Sequence, residues 1–260
     1  MALARAVHDK NCLYWPAMLL SAGLPLPRQV AVHGFITLEG QRISKTSGNT
    51  IDPVELVDTY DADAVRYYLL RNLSFASDGD FSRVALIQHY NDELANELGN
   101  LLNRVVSMIK RYRGGVVPAA GPTGDLEEEL QQAAGETRSR AGDALERWDI
   151  GGALGTIWGF VRRTNQYIER SEPWQLARQA GQESRLDTVL YTGAEATRVL
   201  AILLAPFIPS ASNSMLSQLG LEPVDDAAWL QQGTWGSNSF TKVNAGSLLF
   251  PRIETLESGG

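Results

Sequence analysis

The chain has 260 residues, 44% of them hydrophobic, and a formal net charge of −7, enough apolar material to bury one large core or two small ones. A single cysteine, Cys12, excludes an internal disulfide framework and predicts a reducing, cytoplasmic setting, while His8, His33 and His89 are too scattered to form a zinc site. The longest apolar run, "VLAILLAPFIP" from Val199, is too short for a membrane span and the first residues lack a signal-peptide core, so no membrane partner is expected.

The acidic balance argues against a nucleic-acid partner only for the average surface, because phosphate contact depends on where the cations lie. The stretch between Glu97 and Asp125 has no acidic residue and carries Arg104, Lys110, Arg111 and Arg113; a second acid-free stretch, Thr156 to Ile168, carries Arg162 and Arg163. Spacing alone favours ordinary solvated helix faces for both patches.

In chain order, "RQVAVHGFITLEGQRISK" (28–45) offers short β-branched stretches broken at Gly34 and Gly40, the pattern of a strand or hairpin leading into a loop. Asp52 and Pro53 then read as N-cap and first helical residue, and "VELVDTY" and "ADAVRYYLLRN" carry apolar residues at three and four spacing, predicting two short helices. Ser82 is placed to cap a long helix that ends at Gly114 and Gly115, with Leu94, Leu98, Leu101, Val105, Met108 and Tyr112 as its core stripe. After the loop "GGVVPAAGPTG", helices are predicted over Leu126–Trp148, Ile150–Arg170 and Glu183–Ala205, the acidic run "DLEEE" (125–129) serving as a helix start. Pro206 and Pro209 break the chain before a last short helix, "PSASNSMLSQLG", and "GSLLFPRIE" (246–254) reads as a strand or extended segment that returns to the bundle. Trp148, Trp158, Trp229 and Trp235 read as packing residues. Long antiparallel helices joined by turns make a bundle, so the fold class is mainly α with a small α/β portion ahead of it.

The segment "QRISKTSGN" (41–49) places one ammonium, Lys45, among the hydroxyls of Ser44, Thr46 and Ser47, followed by Gly48 and Asn49, which tolerate unusual dihedrals. Such a loop can close on a nucleotide, the lysine following charge as it develops on a phosphate. The Walker order is absent, and a polar surface turn has the same composition.

"RISKT" (42–46) resembles the KMSKS signature loop of class I aminoacyl-tRNA synthetases. The segments "YWPAMLLSAGLPLP" (14–27), "HGF" (33–35), "SGNTIDP" (47–53), "DAVRYYLLR" (63–71), "DGDFS" (78–82) and "LFPRIE" (249–254) are similar, in the same order, to the methionyl-tRNA synthetase family. The resemblance implies an ATP-dependent, AMP-forming, two-step ligase. Methionine and ATP, with Mg2+, give methionyl-adenylate and pyrophosphate, and the methionyl group then passes to tRNA-Met with its CAU anticodon.

It implies that Arg42, Ile43, Ser44, Lys45 and Thr46 meet the ATP phosphates, with Lys45 and Ser44 stabilising departing pyrophosphate electrostatically rather than by acid–base chemistry. It assigns the helical part to anticodon binding through Asn100, Arg104 and Trp174. Asn100 and Arg104 lie four apart, on one face of the predicted helix. Trp174 matches the tryptophan on which the family stacks a base, the usual grip on a single-stranded loop; without the family it reads as a core tryptophan after Pro173.

Ile43 and Thr46 depart mildly from the signature, Arg42 keeps its charge, and "MALARAVHDKNC" does not resemble the family, with Asn11 where a histidine is expected. No His-x-Gly-His occurs, so the Rossmann half that carries the HIGH motif is expected to be missing and the chain inactive by itself. The implied division is a catalytic remnant over 1–50, a helical connector over 51–81 and an anticodon-binding bundle over 82–260. A split-synthetase subunit or tRNA-binding module, and a helical interaction protein derived from a synthetase, are the alternatives.

Overall fold

The computed structural model describes residues 13–28, 34–42, 50–72, 78–224, 229–244 and 246–254. Cys12, His8, His33 and the loop residues Ile43, Ser44, Lys45 and Thr46 lie outside them. Among the described residues no helix is long and apolar enough to cross a membrane.

The chain enters as α1 (Trp15–Ser21) and forms a hairpin from β1 (Ile36–Leu38) and β2 (Gln41–Arg42), paired antiparallel with Leu38 opposite Gln41. The turn between them, Glu39 and Gly40, has φ of 51° and 76°, positive values at both central residues that match the right-handed twist of the flanking strands. β3 (Gly79–Phe81) joins on the other side of β1 in parallel, making a three-stranded sheet.

The "DGDFS" segment that supplies β3 also pins the hairpin. Asp78 accepts the Phe35 N–H at 2.8 Å, and Asp80 accepts the Thr37 hydroxyl at 2.6 Å and the Gly40 N–H at 2.8 Å. The Thr37 bond, and then the Gly40 amide, hold the Asp80 carboxyl below its usual range. A carboxyl whose folded pKa is depressed stabilises above its unfolded pKa and loses that contribution as pH falls through the folded value. Protection of the Gly40 amide from hydrogen exchange is therefore expected to fall on acidification below the ordinary carboxylate range, and to be lost at neutral pH in Asp80→Ala. Equal protection in the variant and the parent at pH 7 would sink this reading.

Asp52 caps α2 (Pro53–Tyr60) by accepting the Val54 N–H, and α3 (Ala62–Asn72) follows. This second helix faces two ways. Tyr68 packs edge-on against Phe81 at 5.4 Å in a small cluster with Leu56, Val65 and Leu86. Its neighbour Tyr67 stacks on Trp158 at 4.6 Å in the main core. Asp63 accepts the Ala211 N–H at 2.7 Å, and Arg66 donates to the carbonyls of Phe207 and Pro206. The hairpin side and the bundle are thus bonded through one eleven-residue helix.

Ser82 and Gly114 bound the long helical run as expected, Ser82 accepting the Ala85 N–H and Gly114 adopting φ 60°. Its interior departs from the expectation of one regular helix: α4 (Arg83–His89) passes into a π-helical segment (Tyr90–Gly99) and then α5 (Asn100–Arg113). The wider turn closes with the Asn100 N–H on the Ala95 carbonyl, five residues back. It sends three polar side chains to partners on either side. Asn91 binds both backbone groups of Ile253 at 2.9 Å, Glu93 accepts from Tyr67 and His89, and Glu97 faces Arg162. Burial would raise the Glu93 pKa, but the His89 and Tyr67 bonds outweigh it and the net shift is downward. The core stripe is broader than expected, taking in Leu102, Val106 and Ile109, whereas Met108 and Tyr112 are only partly buried.

The bundle is completed by α6 (Asp125–Glu146), α7 (Ile150–Ser171), α8 (Pro173–Leu176), α9 (Glu183–Leu204), α10 (Pro209–Gln218) and α11 (Trp229–Gln232). At Gly193 a Cβ would lie 3.1 Å from Ile168 Cδ1 and 3.5 Å from Val105 Cγ2, so a glycine lets α5, α7 and α9 meet closely. The acidic run does more than start α6. Glu127 is buried, takes both Arg185 nitrogens at 2.7 and 2.9 Å, and accepts from Tyr167 and the Gly124 N–H. On α9, Glu195 and Arg198 form a fully buried pair. Trp158, Trp229 and Trp235 pack in or against the core, but Trp148, at φ 62° in the α6–α7 turn, is 45% exposed. The returning tail is extended rather than a strand. Phe250 meets Tyr90 edge-on at 5.7 Å, and the Asn91 amide supplies the pair of hydrogen bonds that a neighbouring strand would give to Ile253.

Candidate nucleic-acid interface

Asn100 and Arg104 open α5 just after the π-helical segment, Asn100 exposed and Arg104 half-buried. Arg104 binds Glu169 on α7 at 2.8 Å. Two further contacts extend this seam: Arg162 lies 3.7 Å from Glu97, and the Asn165 amide donates to the Glu97 carbonyl at 3.1 Å. Glu97 pairs with 162 and 165 while Arg104 pairs with 169, so the two helices run parallel here.

Trp174 sits in α8, five residues beyond Glu169, after a sharp turn at Glu172 (φ 42°) and the buried Pro173. It is half-buried and packs against the main core. The Arg104–Glu169 bond therefore ties the helix that carries Asn100 to the segment that presents Trp174. With Glu169 63% exposed, that bond is worth about 0–1 kcal/mol and exchanges readily for another partner.

The basic patches read from sequence are partly neutralised. Arg104 and Arg162 have the acidic partners just named, and Arg113 pairs with Asp187 and donates to the Glu183 carbonyl at 3.1 Å. Lys110 and Arg111 stay exposed, Arg111 lying 5.7 Å from the Tyr112 ring. Arg162 stands out in the sequence only as part of a basic stretch, and Asn165 and Glu169 have no signal there, since the roles of all three depend on which helix lies beside α5.

The signature segment is bracketed by described structure. Arg42 is the last residue of β2, and on the far side Asp52 caps α2. Ser44 and Lys45, with Ile43 and Thr46, fall between these anchors and outside the described residues. The hairpin entering the segment is the one held by Asp78 and Asp80.

Two family models cover nearly all of this structure. One, described as "tRNA synthetases class I (M)", matches residues 3–106, which include the signature segment, Asn100 and Arg104. The other, "Anticodon binding domain of methionyl tRNA ligase", matches residues 117–254, more than half the chain and the part holding Trp174. The chain belongs to the methionyl-tRNA synthetase family.

Among curated methionyl-tRNA synthetases, the methionine–tRNA ligase of Caldanaerobacter subterraneus is 43% identical over 94% of this chain and 38% of its own length. That of Deinococcus radiodurans is 42% identical over 97% of the chain and 37% of its own length. A solved structure of Mycobacterium tuberculosis methionyl-tRNA synthetase bound by methionyl-adenylate superposes with a TM-score of 0.84 at 31% identity, over 94% of this chain and 48% of that one. The apo form of that synthetase superposes at 0.83. The chain thus spans a little over a third of the length of these curated relatives.

Proposed function

We propose that the chain supplies the signature loop and the anticodon-reading surface of a methionine–tRNA ligase that charges tRNA-Met in the cytoplasm at the expense of ATP and Mg2+. In this reading residues 1–50 are catalytic-domain sequence with the loop, 51–81 a connector and 82–260 the anticodon-binding bundle. Lys45 and Ser44, flanked by Arg42, Ile43 and Thr46, stabilise charge on the ATP phosphates. Asn100 and Arg104 meet base edges of the CAU anticodon, and Trp174 stacks one base. The methionyl-adenylate held by the Mycobacterium tuberculosis neighbour supports the ATP and methionine part of this reading.

The observation that carries the anticodon part is the Arg104–Glu169 bond, because it brings the exposed Asn100, the half-buried Arg104 and the half-buried Trp174 onto adjoining elements of one bundle. The test is fluorescence anisotropy of an anticodon hairpin bearing CAU against one with an altered anticodon, at fixed salt. Tighter binding of the CAU hairpin is expected; equal affinity for both would overturn the assignment. By itself the 260-residue chain is expected to give no methionine-dependent ATP–pyrophosphate exchange, and measurable exchange would contradict the need for an HIGH-bearing half.

A second reading, a subunit that works with a separately encoded catalytic half, is favoured by α1, where Trp15, Met18 and Leu20 are exposed and no side chain is buried. Co-purification of a Rossmann-type chain, lost in Met18→Asp/Leu20→Asp, is the expected result; recovery of the chain alone would remove this reading.

A further inference from the structure

The groove between α6 and α7 lies next to the proposed anticodon surface and has no part in it so far. It encloses about 310 Å³, with Leu130 and Tyr167 among its apolar floor residues and Gln132, Gln166, Arg163 and Arg170 at its walls. A smaller depression of about 180 Å³ continues it along the same two helices and shares Arg163. The outward ridge of α7 separates this groove from the α5 seam: Arg162 and Glu169 turn toward α5, while Arg163 and Arg170, one residue on from each, turn toward α6. A strand lying across Asn100 and Arg104 therefore has only one helix to cross, and Arg170 lies four residues before Trp174.

Charge in the groove is unevenly satisfied. Arg170 reaches Glu129 at 3.6 Å and Arg140 reaches Glu136 at 3.5 Å, so both carboxylates at the walls have a partner. Arg163 is exposed and pairs with no described residue. Three guanidinium groups against two carboxylates leave one positive charge, at Arg163, which lines both depressions. Guanidinium forks and primary amides over an apolar floor suit a phosphodiester with its base turned inward better than they suit an apolar peptide.

We propose that this groove is a second RNA-binding surface, on which Arg163 takes a backbone phosphate of the anticodon arm flanking the bases read by Asn100, Arg104 and Trp174. The inference rests on the anticodon reading above, and phosphate contact there adds affinity without sequence preference.

The experiment titrates the chain and its Arg163→Ala variant with a labelled CAU hairpin across a salt series, alongside Trp174→Ala and the trinucleotide CAU. Arg163→Ala is expected to bind the hairpin about fivefold more weakly at low salt, with a log K against log salt slope smaller by about one, and unchanged preference for CAU. Affinity for the trinucleotide, which has no flanking strand to reach the groove, is expected to be the same in both proteins. Equal hairpin affinity and slope in Arg163→Ala, with binding still weakened in Trp174→Ala, overturns the groove and leaves the anticodon reading standing. A hairpin that the parent chain does not bind overturns both.

Discussion

Trp174→Ala is expected to weaken binding of the CAU hairpin by about 5- to 150-fold, the equivalent of about 1–3 kcal/mol for one base stacked on an aromatic ring. The residue also packs against the bundle core, so truncation removes apolar contact as well as a platform. Two readouts separate these effects. Trp174→Phe keeps a ring of reduced area and is expected to recover most of the affinity, whereas a residue that only filled space would show its loss in thermal stability and little in RNA binding. The altered-anticodon hairpin gives the second readout: stacking on a single base contributes to the cognate complex, so discrimination should shrink together with affinity. A variant that melts earlier but binds the CAU hairpin as the parent does would place Trp174 with the packing residues.

The largest effect on stability is expected at Glu195. Its carboxylate and the Arg198 guanidinium are 0% and 1% exposed, bonded at 2.6 and 2.8 Å, and each holds a piece of the chain that would otherwise wander. Arg198 donates to the carbonyls of Gln232 and Thr234, and Glu195 accepts the Gly236 N–H, so the pair anchors the segment around α11 to the middle of α9. Glu195→Ala leaves a guanidinium in the core with carbonyl partners and no counter-charge, which costs about 3–5 kcal/mol. At about 2–4 °C per kcal/mol for a chain of this size, melting falls by roughly 10 °C. Removing both charges with apolar residues of similar volume, as in Glu195→Leu/Arg198→Met, should recover a large part of that loss, because no lone charge then remains. Single and double variants of equal stability would show that the loss comes from the backbone bonds to 232–236 rather than from the uncompensated charge.

These two residues differ in how much the sequence announces them. Trp174 stands out through family resemblance, in a "SEPW" context whose proline reads as a helix start. Glu195 and Arg198 lie three apart inside an apolar run and look like any surface pair on a helix. Burial on every side of α9 turns them into a core element, and burial of that kind is set by neighbours that come from elsewhere in the chain. Glu127 is the same case: its place in an acidic run predicts a solvated helix start, and Arg185 and Tyr167, from 58 and 40 residues away, make it a buried hub.

Local signals determined much of the rest. Asp52 with Pro53, Ser82, and the paired glycines at 114 and 115 stop or start helices by satisfying or freeing particular backbone groups within four residues, and the elements begin and end there. The family likewise followed from short segments in a fixed order, and the family models agree with it. The π-helical turns at 90–99 were not legible, because apolar residues at 90, 94, 95 and 98 fit an α-helix equally well. What holds the wider turn are bonds to Tyr67 and Ile253, 26 and 162 residues away in sequence. The sequence by itself determined the family, the helix ends and the shared face of Asn100 and Arg104. Only the tertiary structure decided that this face meets Glu169 beside Trp174, and that Arg163 pairs with no described residue, since ion pairing between helices depends on which of them lie side by side.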